Sequence, residues 1–314
     1  MNFVSPLTTK ISTTYNGSVY DKSYYGDLIS TTLTDGTYTE WSAVAFSKDQ
    51  YVMVTPLKRI YRASRDTLAS EYPPANPSAW TDYGALNSYT CLDDMLQSQS
   101  ESTSNFSMVF QFNKCNTLSI LNIDNIETIQ IIQYDNLSST ETYNQTINLR
   151  TYGATSLYEY WYSPIYLLNQ LLVKDLNWSP DSTLTLNFTV TSLETGKVGA
   201  IVYGLMEELG ISLMGSSVGF EDYSTYKVDI YGNTSFIKRG YANVIKAKIA
   251  IDAKRIDDTL KKLVKLRGKV SLFIGDERDN GFKSMTTLGH IEKTTIPIDN
   301  PVISTFPMTI IGVI

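Results

Sequence analysis

The sequence predicts a mainly β protein, in which a small β module and a β-sandwich are followed by a C-terminal α+β domain with one long helix. Three observations predict it. The chain is poor in charge (18% charged residues) and rich in aromatics (12%), with Tyr, Thr, Ser and Asn unusually frequent. Tyr and Thr suit pleated strands, and Asn and Ser suit the turns between them. Short runs that alternate apolar and polar residues recur at regular spacing, the pattern of strands with one buried face. Only one segment, near 253–268, carries a helical period. At 314 residues the chain is long enough for two or three domains.

Residues 1–39 are Thr/Ser/Tyr-rich and alternate weakly, with a "TDGT" turn at 34–37. They read as an N-terminal arm of short strands that pairs with the body or with a neighbouring subunit, because alone it buries too little to offset its ordering entropy. Residues 40–85 read as a small β module. "QYVMVT" and "RIYRAS" alternate as paired strands around the turn "TPLK", and "YPPANPSAW" closes the unit as extended chain. Residues 86–214 read as the sandwich. "FSMVFQF" puts Phe106, Met108, Phe110 and Phe112 on one side, and "TLSILNI", "ETIQIIQY", "STLTLNFTV" and "KVGAIVYGLM" continue the series. In "SLYEYWYSPIYLLNQLLV" the apolar density is compatible with a helix, but Pro164 and the aromatics favour two strand pieces around a bend.

Residues 215–314 change character. "YANVIKAKIAI", "VSLFIG" and "STFPMTIIGVI" read as strands, and "AKRIDDTLKKLVKLRG" as the long helix. Its expected buried face is Ile256, Leu260, Leu263 and Val264, with Asp252 as N-cap and Gly268 as the stop.

The chemistry-bearing residues are few. One histidine, His290, and two separated cysteines, Cys91 and Cys115, cannot build a structural zinc site. The cysteines read as buried thiols rather than a disulfide. No nucleophile motif accompanies His290. The acidic pairs Asp93–Asp94, Glu207–Glu208, Glu221–Asp222 and Asp276–Glu277 are sequence neighbours, which point to opposite faces of a strand and cannot flank one bond. "GSSVG" and "GLMEELG" lack phosphate-loop spacing. No enzyme, cofactor or metal is therefore expected. The net charge of −6 argues against nucleic acid, and the basic residues of the helix read as a solvated face with Asp257–Lys261 and Asp258–Lys262 at i,i+4. No apolar run is long enough to insert in a membrane. The start "MNFVSPLTTKISTT" lacks a secretory signal, so the protein is expected to be made in a cytoplasm and to stay there or leave by lysis.

Trp41, Tyr61 and Trp80 stand apart. They form either a carbohydrate-stacking platform or the core of a module too small to have another. The stretch Trp41, Phe46, "KDQYVMV", "RIYRAS", "PANPSAW" resembles the small chitin-binding modules of bacterial chitinases, without their usual Gly before the first strand. The continuation "WTDYGALNSY", then "TLSILNIDNIETIQIIQYD", "WSPDSTLTLNFT" and "GAIVYGLMEELG", resembles structural virion proteins of tailed bacteriophages. The resemblance implies a galactose-binding-like jelly-roll sandwich and a structural place in the tail: baseplate, tail tip or fibre attachment. It also implies assembly in the host cytoplasm, with other tail proteins and copies of the chain as partners. The alternative it leaves is a receptor-recognising tail protein that binds host cell-surface polysaccharide.

Overall fold

A computed structural model describes residues 1–151, 156–162, 166–278, 281–292, 294–298 and 302–314. It is mainly β, with one long helix near the C-terminus. The chain forms two compact units, 7–203 and 1–6 with 204–314.

The larger unit contains the sandwich. One sheet has the strands Ser100–Ser102, Gly196–Gly204, Thr117–Asp124 and Gln170–Val173 side by side. The other has Phe106–Phe112, Ser182–Val190, Ile126–Asp135 and Thr140–Asn148, with Asp27–Thr31 added at the edge beside Phe106–Phe112. Numbered along the chain from Ser100, the first sheet reads first, eighth, third, sixth, and the second reads second, seventh, fourth, fifth. That interleaving is a jelly roll, two Greek keys wrapped on one core. The alternation in Phe106–Phe112 has the expected consequence: Phe106, Met108, Phe110 and Phe112 are buried with Leu118, Ile120, Ile129, Leu186 and Phe188. Cys91 and Cys115 are free thiols in this core.

In the same unit the small module is a four-stranded sheet in the order Thr39–Glu40, Tyr51–Val54, Arg59–Ala63, Trp80–Ala85. "TPLK" turns through the 3-10 helix Thr55–Leu57 with Lys58 at φ +55°, and the Tyr24 hydroxyl donates to the Leu57 carbonyl at 2.9 Å. "YPPANPSAW" is not fully extended as expected. Pro73–Ala75 makes a 3-10 turn, because prolines at its first positions cost no donor there.

The smaller unit is the α+β domain. Its sheet runs Met206–Glu208, Asn2–Val4, Ser271–Ile274, Thr286–Ile291, Ile303–Gly312, Tyr241–Asp252, Ile211–Ser212, and Ser217–Asp222 also pairs with Tyr241–Asp252. The helix Ile256–Leu266 packs on this sheet, and Gly268 at φ +68° follows it. Asp252 caps the 3-10 turn before the helix, accepting from the Lys254 N–H.

Three expectations change. Residues 1–39 pair with the body, the first of the two expected partners, but as three pieces rather than one arm. Asn2–Val4 is an inner strand of the smaller unit's sheet, Thr8–Tyr15 and Ser18–Tyr25 form a hairpin packed on the small module, and Asp27–Thr31 extends the sandwich. Weak alternation cannot specify a partner, and here the pieces went to different places: one inside a sheet, one into its own hairpin and one onto a sheet edge. The helix is rolled relative to its expected face. Thr259, Leu263 and Leu266 are buried, whereas Leu260 and Val264 are 50% and 63% exposed. Positions 256, 259, 263 and 266 form one stripe, and 260 and 264 lie on its flank. The first part of "SLYEYWYSPIYLLNQLLV" is a short helix, Leu157–Tyr162, before the strands Tyr166–Leu167 and Gln170–Val173; Pro164 lies outside the described residues.

Candidate functional site

Tyr61 and Trp80 are 4% and 2% exposed and pack with Phe46, Val52, Val54 and Leu57. Trp80 stands edge-on to Phe46 at 5.6 Å, and its indole N–H donates to the Glu71 carbonyl at 2.9 Å. It lies inside the module rather than at its junction with the sandwich. Trp41 is half-buried, with Tyr72 at 4.9 Å and Tyr15 of the N-terminal hairpin at 5.6 Å, both edge-on. Tyr15 in turn stacks on Tyr72 at 4.4 Å. With Tyr61 and Trp80 enclosed, these three residues do not offer a common flat face to a sugar. A unit this small has little else to fill its centre, and the strand periodicity points these rings inward.

The aromatics at the module's surface are others. Tyr51 contacts Tyr83 edge-on at 4.9 Å and Tyr38 at 6.3 Å, and the Arg62 guanidinium lies 5.9 Å from the Tyr51 ring centre. Tyr83 is exposed. Tyr38 and Tyr83 border a groove of about 770 Å³ that continues past Asn87, Gln99 and Glu101. Asn87 is tied down there: its amide donates to the Thr34 and Glu101 carbonyls, and its oxygen accepts from the Glu101 N–H at 2.8 Å.

The titratable residues are dispersed. His290 is exposed on Thr286–Ile291. Glu207 and Glu208 pair with Lys262 and Arg255 at 3.6 and 3.2 Å, and Lys262 also faces Asp258 at 3.8 Å, so part of the helix's basic face is neutralised locally. Hydrogen bonds from the Arg278 guanidinium, at 2.9 and 2.7 Å, hold Asp276 well below the usual carboxylate range. Asp135 accepts from the Ser138 and Ser179 hydroxyls at 2.6 and 2.8 Å, which lower its pKa and occupy both of its oxygens. Asp93 is buried, and burial pushes its carboxyl up to about 7 although it accepts from the Met95 N–H at 2.9 Å. Burial also pushes the Cys91 thiol up to about 12, which keeps it protonated and unreactive. Among the described residues no group of three or more His, Cys, Asp or Glu side chains is arranged to hold a metal ion. No helix of the described residues is long and apolar enough to cross a membrane.

A run of exposed aromatic and aliphatic side chains lies in the smaller unit, between Ser217 and Tyr241. Ser217–Asp222 and the start of Tyr241–Asp252 carry a second two-stranded ladder, Thr225–Val228 with Thr234–Ile237. Every residue of Ser217–Asp222 and of Thr234–Ile237 is exposed. A signal was available in "TYKVDIYGNTSFIK": two strand-forming runs joined by Asp229–Asn233, with Gly232 at φ +82° and Asp229 accepting from the Tyr231 and Asn233 N–H groups at 2.8 Å. Comparison with known protein families, characterised proteins and solved structures finds no match to the chain.

Proposed function

We propose that this chain is a structural component of a bacteriophage tail, in the baseplate, tail tip or fibre-attachment region, and that it works by protein–protein assembly rather than catalysis. One observation carries the assembly part. A hairpin spanning about 217–241 holds strand-forming aromatics in solvent, where an unpartnered apolar surface is costly and typical of a contact site. The tail setting is supported by the order of motifs from Trp41 onward, which is similar to that of tailed-phage structural proteins. Its partners are other tail proteins and copies of itself, and its location is the virion tail after assembly in the host cytoplasm. Immunogold labelling of purified phage particles with an antibody to this chain tests the setting. Label confined to the tail is the expected result, and particles that lack the chain refute it.

A second reading, recognition of host cell-surface polysaccharide, is favoured by the exposed Tyr83 and the half-buried Tyr38 on the groove, with Tyr51 packed behind them, since a ring next to amide and hydroxyl groups suits sugar stacking. It moves the candidate sugar contact away from Trp41, Tyr61 and Trp80. Titration with host polysaccharide, followed by Tyr fluorescence, separates the two readings: saturable binding lost in Tyr83→Ala supports the receptor role, and no binding at millimolar saccharide removes it.

A further inference from the structure

We infer that the hairpin 217–241 is a self-association element, and that its partner is the same hairpin on a second copy of the chain. Six aromatics are spread along it: Phe220, Tyr223, Tyr226, Tyr231, Phe236 and Tyr241. They are between 40% (Tyr223) and 84% (Tyr231) exposed. Two cross-strand ring contacts, Phe220–Tyr241 at 6.2 Å and Tyr226–Phe236 at 6.4 Å, build apolar ridges on its outside. At ~200 Å² per aromatic side chain, these exposures leave on the order of 800 Å² open to solvent. Summed over the hairpin, that is comparable to the ~800 Å² each partner contributes to a standard interface.

The backbone supports the same conclusion. Among the described residues, Thr225–Val228 and Thr234–Ile237 pair only with each other, and Ser217–Asp222 pairs only with Tyr241–Asp252. A free two-stranded ribbon is marginal in water and is stabilised by a third strand or an apolar cover, and its open edges are templates for strand pairing.

Charge selects a second copy. The whole chain is at −6, yet this hairpin holds Glu221, Asp222 and Asp229 against Lys227, Lys238 and Arg239 and is neutral. A surface with both signs in equal number meets itself without net repulsion, and a two-fold contact brings the same patch of both subunits together. The inference deepens the assembly reading, but it concerns the purified chain alone. Particle labelling can fail while self-association holds, and the reverse.

The test is sedimentation velocity on the full chain from about 1 to 100 μM, beside the triple variant Phe220→Ser, Tyr226→Ser, Phe236→Ser. The parent is expected to form a dimer. The variant is expected to be monomeric, with an association constant lowered at least 100-fold and an unchanged far-UV spectrum. A monomeric parent at 100 μM overturns the inference, as does a variant that associates like the parent. Should the variant aggregate, amide exchange of the parent decides: protection of 219–238 that rises with concentration supports the hairpin contact, and concentration-independent exchange there overturns it.

Discussion

Replacing Asp93 with Asn should change how the stability of the larger unit depends on pH. Asp93 lies in the turn after the short helix Asn87–Thr90, is buried, and accepts from the Met95 N–H at 2.9 Å. Burial raises its carboxyl to about 7; the Met95 N–H, Arg59 and Ser98 pull in the opposite direction, and Asp94 adds to the rise. In the unfolded chain it titrates near the ordinary 3.8. Between these two values the folded chain holds a proton that the unfolded chain has released, so stability falls as pH rises through this window. The loss is about 1.4 kcal/mol per pH unit. Over the window it reaches at most ~4 kcal/mol, a large part of a typical 5–15 kcal/mol. Above about 7 both states are ionised and the loss is complete. Asparagine keeps an oxygen for the Met95 N–H, adds an N–H₂ where the acid has its O–H, and does not titrate. The stability of Asp93→Asn minus that of the parent should therefore climb by several kcal/mol from pH 4 to pH 7 and then level off. All four Trp residues, 41, 80, 161 and 178, belong to the larger unit, so Trp fluorescence in urea titrations at half-unit pH steps reports on that unit alone. A difference that stays constant within ~1 kcal/mol across the window would falsify the assignment of Asp93 as a buried, protonated carboxyl.

Three further outcomes follow from the packing. Gly26 is at φ +77°, and a Cβ there would come within 2.5 Å of the Tyr203 ring carbon Cζ. Gly26→Ala should cost about 2–4 kcal/mol in the same fluorescence assay, and a neutral variant would show that Tyr203 is free to move. Trp80→Ala should cost about 3–5 kcal/mol, more than Trp41→Ala at a half-buried site, and Trp41 as the costlier substitution would contradict their burial. Deleting residues 1–6 removes the buried Met1, Phe3 and Val4 and an inner strand of the smaller unit. Amides of 204–314 should then lose exchange protection while the Trp transition of the larger unit stays in position, and retained protection in 241–252 and 303–312 would refute that role for the strand.

Much of this architecture was legible along the chain. The strict alternation in 106–112 and 182–190, the strand-forming runs of 241–251 and 303–312, and the single amphipathic segment before Gly268 each state a local periodicity; a period decides element type without knowledge of neighbours, and in the strictly alternating strands it decides the buried face as well. What escaped were the features that depend on partners distant in sequence. Which sheet edges capture residues 2–4 and 27–31 depends on vacancies created by 206–208, 271–274 and 106–112. The roll of the helix by one flank depends on the shape of the sheet beneath Leu263 and Leu266. The exposure of the 217–241 aromatics has the same origin: Phe220 and Phe236 look like core residues in sequence, and they stand in water because the described residues bring no covering layer over them. Composition and periodicity act over a few residues, whereas burial is settled by what the rest of the chain brings within reach.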